Sequence, residues 1–403
     1  MPERSGVLKL EISSQEYKRR TGIVLDKMKE LGLDAFVFWN NTSVFYLCGF
    51  SFIPTERPAC MILTKDGKKT MYVPRLEVEH ATQNKEVSET VNYPEYPGDV
   101  HPLKNLAGVI AGMGLANSNI GSDAPGYSST KGYRGPSLLE VLPTVKLTLL
   151  PYLVEEIRVI KSPEEIAFIK ESARWGNLAH SLLQKYSLPG FLENEVAMKA
   201  TIETTRVMVA TLGDAYNPKV STGLDPHVGF RGQIGPNSAL PHAIDINAVL
   251  KPGDNLVTYA CPTIGGYTSE LERTMFVGEP NAEQRKYFGF MKEIQETAFE
   301  KIRPGRPCSD VDKAVREVYA KHNLWDYWRH HTGHALGLLN HELPFFDAAD
   351  HTIMRPGMVF SVEPGVFVPG LGGFRHSDTV LITETGMEMI TWYPRDLDRL
   401  ICG

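Results

Sequence analysis

The chain has 403 residues, which suggests two domains because a single hydrophobic core rarely grows to that size. Its composition, 42% hydrophobic and 22% charged, is typical of a globular protein, and a net charge of −6 without runs of Lys or Arg argues against a nucleic-acid partner. The sequence shows no signal peptide, no apolar run of the roughly 20 residues that span a bilayer and no paired cysteine spacing, so we expect a cytoplasmic protein without a membrane partner.

The first 150 residues alternate helix and strand signals. The spacing of Ser13 and Glu16 matches a capping box, which starts a helix that Gly32 ends. Similar patterns predict a strand over 35–39, a turn at 40–41, a hairpin of strands 59–64 and 70–73, helices over 103–113 and 138–142, and a strand over 145–150. We therefore expect a mixed α/β domain over residues 1–153.

A second domain is predicted over residues 154–403. Ser162, Pro163 and Glu165 form the start signal of a long helix that reaches about residue 186. Further helices are predicted over 192–209, 282–302 and 309–322, and a loop rich in Gly, Pro, Ser and Asn over 212–250. The last hundred residues alternate short apolar runs with Gly and Pro, as a curved antiparallel sheet would. The fold class expected for the whole chain is α+β.

Two carboxylates stand out in the middle of this second domain. After a predicted buried strand over 256–260 and a turn at Gly265, Glu270 and Glu272 lie two residues apart, which puts both on one face of a strand. Two acids that face a core repel each other unless a positive group lies between them. The residues alone leave open whether that group is a metal ion or a cationic substrate.

Four further motifs in the second domain place polar or charged residues close to glycine or proline. They are ALPH ending at His242, HHTGHALG with HELP around His334 and His341, PGMVFSVEPG around Glu363, and GGFRHSDTVL around His376. Their order, spacing and flanking glycines resemble the pita-bread family of creatinases, Xaa-Pro dipeptidases and methionine aminopeptidases. The resemblance implies a creatinase-like N-terminal domain followed by a pita-bread domain, in which helices cover a curved antiparallel sheet.

The resemblance also bears on metal binding. The metallopeptidase members hold two metal ions with Asp, Asp, His, Glu and Glu, and these positions are matched to Ala260, Glu270, His334, Glu363 and Ser377. Because Ala260 cannot bind a metal and Ser377 is a poor ligand, we expect no dinuclear site and no cofactor. A single divalent ion on Glu270, His334 and Glu363 is the alternative, since carboxylates with one imidazole suit Mn, Fe or Zn.

The run IxGYxxxLERT, which ends at Thr274, resembles creatinase, the metal-free member. This resemblance implies that His242 is the general acid/base and that Glu272 and Glu363 are catalytic carboxylates. It also implies a homodimer in which Arg57 of the N-terminal domain reads a substrate carboxylate in the partner's site. Other expected contacts with a small-molecule substrate are Glu270, His334, His341, Tyr267 and His376.

The main functional prediction is therefore a metal-independent hydrolase that cleaves a C–N bond of a small guanidino, amidine or amide carboxylate. Ectoine hydrolase is a further relative whose cyclic amidine substrate suits the same charges. One alternative is a mononuclear metal-dependent Xaa-Pro-type dipeptidase or lyase on the same fold. The other is a non-catalytic binding protein. Dependence of the activity on metal separates the first two, and replacement of His242 separates both from the third.

Overall fold

The computed structural model describes residues 10–215, 217, 219 and 226–403. It contains two compact units, one formed by Ile12–Arg158 and the other mainly by Val159–Gly403. The predicted division between residues 153 and 154 falls at the start of the helix Leu153–Arg158 and stays a prediction. The predicted absence of a signal peptide, and part of the predicted loop over 212–250, concern residues outside the described ones.

The part of the chain that the structure describes contains no helix that is both long and apolar enough to cross a membrane.

The first unit is a mixed sheet flanked by helices. Its strands are β1 (Ala35–Phe38), β2 (Cys60–Thr64), β3 (Lys69–Pro74), β4 (Glu89–Tyr93), β5 (Asn119–Ser122) and β6 (Lys146–Leu149), and its helices are α1 (Ser14–Glu30), α2 (Asn41–Cys48), α3 (Val78–Thr82), α4 (Pro102–Gly112), α5 (Leu138–Val141) and α6 (Leu153–Arg158). The strand order is β4-β3-β2-β1-β5-β6, with β2 and β3 forming the predicted antiparallel hairpin. This unit confirms the predicted α/β character.

Capping side chains decide where the first helices begin. Ser13 accepts a hydrogen bond from the backbone N–H of Glu16, as the capping signal predicted. The expected turn at residues 40–41 is instead the start of α2, because the Asn40 side chain accepts hydrogen bonds from the N–H groups of Thr42 and Ser43. The prediction missed this helix because asparagine is common both in turns and at N-caps. In both places its short side chain forms hydrogen bonds with nearby backbone groups.

The second unit is a curved antiparallel sheet with helices packed on it. The helices are α7 (Pro163–Tyr186), α8 (Glu193–Leu212), α9 (Ala282–Lys301) and α10 (Ser309–Lys321). The strands are β7 (His227–Gly229), β8 (Asn255–Val257), β9 (Tyr259–Cys261), β10 (Thr263–Ile264), β11 (Tyr267–Thr268), β12 (Leu271–Glu272), β13 (Thr274–Val277), β14 (Gly333–Ala335), β15 (Glu342–Phe346), β16 (Val359–Val362), β17 (Gly365–Val368), β18 (Gly372–Arg375), β19 (Ser377–Ile382), β20 (Met387–Met389) and β21 (Ile401–Cys402). The main sheet runs β15-β14-β16-β19-β12-β9-β7, and α+β is the observed class.

The predicted glycine turn sets up the carboxylate strand. Gly265 and Gly266 both have positive φ, 59° and 89°, which is the conformation of a type I′ hairpin turn. The turn joins β10 to β11, with Ile264 opposite Tyr267. A Cβ on Gly265 would lie 2.4 Å from the Phe168 ring, so this position also needs a residue without a side chain.

Helix α7 begins with the capping box that the sequence predicts. The Ser162 side chain accepts from the N–H of Glu165, and the Glu165 carboxylate accepts from the N–H of Ser162. Replacing Ser162 with alanine should lower the free energy of unfolding by about 1 kcal/mol, because the N–H of Glu165 then loses its partner. Urea denaturation measures this change. Ser181→Ala, on the exposed middle of the same helix, is the control and should change stability by less than about 0.5 kcal/mol; equal losses in both variants would contradict the capping assignment.

Candidate functional site

One face of the main sheet carries polar side chains and the other packs into the core. In the antiparallel pairs His334 lies opposite Ser361, Ser361 opposite Thr379, and Glu272 opposite Ser377. Residues directly opposite each other in a sheet point to the same face, so these side chains share one surface. The alternate residues, such as Leu271, belong to the hydrophobic core on the other face.

Three of the predicted ligands converge on this polar face. Glu270, His334 and Glu363 are buried and each offers a ligand atom, and these atoms all lie within 4.8 Å of one another. His334 Nε2 is 3.1 Å from Glu363 Oε1 and 4.0 Å from Glu270 Oε2. We call these three residues the triad.

Neighbouring groups hold each member of the triad in place. The Nδ1 of His334 lies 3.1 Å from the Ala335 carbonyl oxygen, which orients the ring so that Nε2 faces the two carboxylates. The hydroxyls of Ser361 and Ser377 donate to Glu270 Oε1 over 2.6 and 2.7 Å and leave Oε2 directed toward the histidine. Such outer hydrogen bonds are what orient the ligands in metal sites.

The triad fits a divalent metal ion. Although His334 Nε2 is fully buried, it makes no hydrogen bond of good geometry in the described part of the chain. It instead faces two carboxylates, Glu363 at 3.1 Å and Glu270 at 4.0 Å, which is how the ligands of a shared cation are arranged. Two carboxylates and one imidazole form a donor set that suits Mn²⁺, Fe²⁺ or Zn²⁺.

A row of alternating charges extends from the triad. Arg375 lies 3.9 Å from Glu363 through Nη1, and its Nη2 donates to Glu272 Oε1 over 2.8 Å. Arg231 then donates to the same Glu272 oxygen over 3.0 Å. Glu272 and Arg375 are both buried, whereas the Arg231 side chain is 39% exposed. The row therefore runs from the buried triad to solvent at Arg231.

The close packing of these charges shifts their protonation. Burial works against the imidazolium of His334, yet the contact with Glu363 and the charge of Glu270 raise its pKa to about 9. Burial also opposes the charged form of Glu363, but His334 and Arg375 hold the pKa of that carboxyl well below its usual range. Burial raises the pKa of Glu272 to about 7, although Arg375 and Arg231 act in the opposite direction. The cluster therefore contains charged groups of both signs in one buried space.

Two other predicted site residues, His341 and Tyr267, contact defined neighbours in the structure. The His341 ring stacks on that of His334, with centroids 3.7 Å apart and planes 20° from parallel, and its outer side is exposed. His341 therefore covers the ligand histidine from solvent. Tyr267 is buried against α7, where its ring stacks on Phe168 and its hydroxyl donates to Glu165 over 3.1 Å.

In the described part of the chain, the side chains of His376 and His242 form no hydrogen bond or ion pair with the triad or with the row of alternating charges. His376 follows Arg375 and precedes Ser377, so by alternation its ring points to the opposite face, where it packs on Phe288. His242 is exposed in the turn that follows the 3₁₀ helix Gly235–Ala239, and none of the hydrogen bonds or ion pairs among the described site residues involves it. Its proposed proton-transfer role stays untested.

Arg57 belongs to the first unit, where its guanidinium already has acidic partners. Its Nε donates to Glu95 over 2.6 Å, and Nη1 pairs with Glu56. These ion pairs raise the pKa of Arg57, and the largest contribution is the hydrogen bond that Arg57 donates to Glu95. The expected contact of Arg57 with a substrate carboxylate stays a prediction.

The strand register corrects the position matched to the first ligand. Ala260 lies opposite Leu271 in the β9–β12 pair, so both side chains face the core. The residues of β9 on the face of the triad are Tyr259 and Cys261. Their side chains are a phenol and a thiol, so on this face of β9 the chain offers no carboxylate.

Two arginines of the site were not assigned by the sequence. Arg375 lies in the same motif as Ser377, two residues away, and this spacing could have placed it on the triad's face. Arg231 carries only a weak signal, a charged residue between Phe230 and Gly232 in the long loop. The sequence had offered Arg273 as a structural partner of Glu272, but Arg273 points to the opposite face and pairs with Asp378 at 2.8 Å.

Comparison with known proteins identifies related chains. The sequence profile of metallopeptidase family M24 matches residues 167–384, more than half of the chain. The profile of the creatinase/prolidase N-terminal domain matches residues 20–160. The two matches together cover both compact units.

Related proteins match over almost their full length. The Xaa-Pro dipeptidase of Pyrococcus furiosus is 28% identical over 380 residues, covering 94% of this chain and 99% of that protein. The Xaa-Pro dipeptidase of Pyrococcus horikoshii is 27% identical over 389 residues, covering 96% and 100%. The crystal structure of a prolidase from Thermococcus sibiricus superposes with a TM-score of 0.80 at 27% identity, covering 96% of this chain and 99% of that one.

These findings overturn the main functional prediction. The relatives carry the name Xaa-Pro dipeptidase and the matching profile is that of a metallopeptidase family, so a metal-independent amidinohydrolase acting on non-peptide C–N bonds is wrong. The expectation of no cofactor is wrong for the same reason, and the triad is the group of residues that could hold a metal ion. The main prediction gave the changed positions Ala260 and Ser377 more weight than the three remaining ligands, and it kept a single ion on Glu270, His334 and Glu363 only as an alternative.

Proposed function

The chain belongs to metallopeptidase family M24, and from this premise we propose that it is a metal-dependent dipeptidase of the Xaa-Pro type that binds one divalent cation at Glu270, His334 and Glu363. The observation that carries the proposal is the convergence of three buried ligand atoms, one imidazole nitrogen and two carboxylate oxygens, within 4.8 Å of one another. When bound, such an ion polarises a carbonyl group and lowers the pKa of a coordinated water. The names of the relatives support peptide bonds before proline as the target.

The charge balance of the site favours one ion over two. With Glu272 in its ionised form, Glu270, Glu272 and Glu363 carry three negative charges, and Arg231 and Arg375 carry two positive ones. A single divalent ion beside a neutral His334 turns one net negative charge into one net positive charge, which a substrate carboxylate neutralises. A second ion would add two positive charges in a space that already holds a buried guanidinium, and close like charges in a poorly solvated site repel strongly.

The protein's own groups have distinct tasks in this proposal. Ser361 and Ser377 fix Glu270, and the Ala335 carbonyl fixes the ring of His334. Arg375 holds Glu363 and Glu272 in place by facing both carboxylates. His242, which is exposed in its turn, carries protons between the substrate and water, as the sequence suggested.

Metal loading and substrate cleavage test this function together. We expect purified protein to bind one Mn²⁺, Fe²⁺ or Zn²⁺ per chain, to release free amino acids from prolyl dipeptides, and to lose that activity after exhaustive chelation. Elemental analysis and mass spectrometry of the products are the measurements. Full activity in protein shown to be free of metal, or stoichiometric metal without cleavage of any dipeptide, would refute the proposal.

Assembly and location are further parts of the proposal. We propose a homodimer, from the resemblance of the N-terminal unit to the creatinase/prolidase domain, and a small dipeptide as the substrate. A reducing, cytoplasmic location is supported by five free cysteines, of which four are buried. Sedimentation velocity measures the assembly, and a monomer at micromolar concentration would contradict it.

A further inference from the structure

A cavity of about 690 Å³ opens beside the row of alternating charges. One wall is the face of α8 that carries Met198 and Ile202, and the opposite wall includes Phe230 and Ile244. Arg231 and Tyr259 also line it. The cavity is within the size range of small-molecule sites and combines an apolar lining with a few polar groups, as such sites do.

Arg231 is the lining residue that connects this cavity to the buried site. Its Nη2 donates to Glu272, which Arg375 joins to Glu363 of the triad. Its guanidinium carbon also lies 5.0 Å from the centroid of the Tyr259 ring, within the range of a cation–π contact. Three ion pairs, Arg231–Glu272, Glu272–Arg375 and Arg375–Glu363, therefore connect the cavity to Glu363.

The guanidinium retains unused hydrogen-bonding capacity. Arginine has five N–H donors, and Nη2 of Arg231 supplies the bonds to Glu272 and to Gln233. Its Nη1 donates to none of the described residues, and 39% of the side chain is exposed, whereas the unpaired Nε is buried and turned away from solvent. Arg231 itself has a φ of 53°, a conformation that non-glycine residues seldom adopt, so the backbone presents this side chain in an uncommon direction.

The acidic residues of the cavity do not compete for this cation. Glu193 is buried and its carboxylate accepts hydrogen bonds from the backbone N–H groups of Gly232, Ile246 and Ala248. Asp245 is exposed and accepts from the N–H of Asn247. Both carboxylates therefore hold the loop that forms the cavity wall, and the charge offered to a ligand at the inner end is that of Arg231.

We infer that this cavity is the specificity site of the proposed dipeptidase and that Arg231 binds the free carboxylate of a substrate with an apolar side chain. The inference takes the cleavage reaction from the proposed function. The binding of the substrate carboxylate is argued from Arg231 and the cavity alone. The N–H groups of Arg231 Nη1 donate charge-assisted hydrogen bonds to the carboxylate, and the apolar side chains of Ile202, Phe230 and Ile244 cover an aliphatic or pyrrolidine group. Arg231 takes the role that the sequence had given to Arg57.

Paired substrates test the assignment. Leucylproline has a free carboxylate and leucylprolinamide does not, so Arg231→Gln should raise KM for the acid about 10- to 100-fold, leave kcat within about threefold, and leave KM for the amide unchanged. Arg231→Lys should restore part of the loss for the acid. Arg285→Gln is the matched control, because Arg285 is also ion-paired and 42% exposed but lies on α9 outside the cavity.

A binding measurement separates this inference from the proposed function. Calorimetric titration with 4-methylpentanoate and its amide, which contain no peptide bond, should show at least tenfold tighter binding of the acid to the wild-type protein and no such preference in Arg231→Gln. If the protein cleaves dipeptides and Arg231→Gln changes KM equally for the acid and the amide, the inference about Arg231 is wrong and the proposed dipeptidase function remains. An Arg231-dependent preference for the acid without cleavage of any dipeptide supports the cavity and overturns the dipeptidase; absence of both results overturns both.

Discussion

Replacing Glu363 with glutamine is expected to lower kcat/KM at least about a thousandfold and to remove the bound metal. The substitution keeps the size of the side chain but removes the charge that faces His334 Nε2 at 3.1 Å. A metal ion contributes several kcal/mol to stabilising charge in a transition state, and each 1.4 kcal/mol corresponds to a factor of ten in rate. Steady-state kinetics and elemental analysis of the same preparation measure both effects.

The matched control for this variant is Glu388→Gln. Glu388 is also ion-paired, with Lys170, but the pair is exposed and should contribute little to stability. We expect this variant to retain wild-type activity and metal content. Circular dichroism should show the same fold for both variants. A Glu363→Gln protein with normal metal content and normal activity would exclude the triad as the metal site.

Replacing Arg273 with methionine is expected to cost about 3–5 kcal/mol of stability, because it leaves a buried carboxylate without its cation. Arg273 and Asp378 are both almost fully buried and 2.8 Å apart. The guanidinium also donates to the carbonyl oxygens of Glu272, Ser377 and Tyr393. Its removal would therefore leave several buried acceptors unpaired on the core side of the sheet.

Chemical denaturation and a second variant distinguish this cause from a loss of packing. If the unpaired charge dominates, Arg273→Met combined with Asp378→Asn should recover part of the loss, because the remaining carboxamide is neutral. Arg316→Met is a milder control, since Arg316 also pairs with an aspartate, Asp312, but is 30% exposed. A loss below about 1 kcal/mol in Arg273→Met would show that this ion pair contributes little to the stability of the sheet.

The sequence predicted those features that depend on neighbouring residues. The capping box of Ser162 and Glu165 and the turn at Gly265 could be predicted because each is formed by side chains and backbone within a few positions. The approach of Glu270, His334 and Glu363 was offered as an alternative, and it came from the order of motifs rather than from local pattern. Such local signals predict where many of the helices, strands and turns begin and end.

The features that were missed depend on strand register. A shift of one residue moves a side chain to the opposite face, which is why Ala260 was matched to a site position that Tyr259 and Cys261 occupy and why His376 was expected in the site. Register is set by pairing with strands distant in sequence, and no local pattern reports it. Arg231 was missed for a similar reason, because only the folded loop brings it to Glu272.

The row of alternating charges has a consequence for how the site can evolve. Glu363, Arg375 and Glu272 are buried and each neutralises the next, so exchanging any one of these three alone leaves a neighbour unbalanced in a buried space, whereas Arg231 at the outer end is 39% exposed. A lineage that acquires or abandons an additional ligand must therefore pass through compensating changes at neighbouring positions. Strong epistasis among the codons of these three buried residues, visible in combinatorial libraries as viable pairs whose single-mutant intermediates are inactive, follows directly from their arrangement.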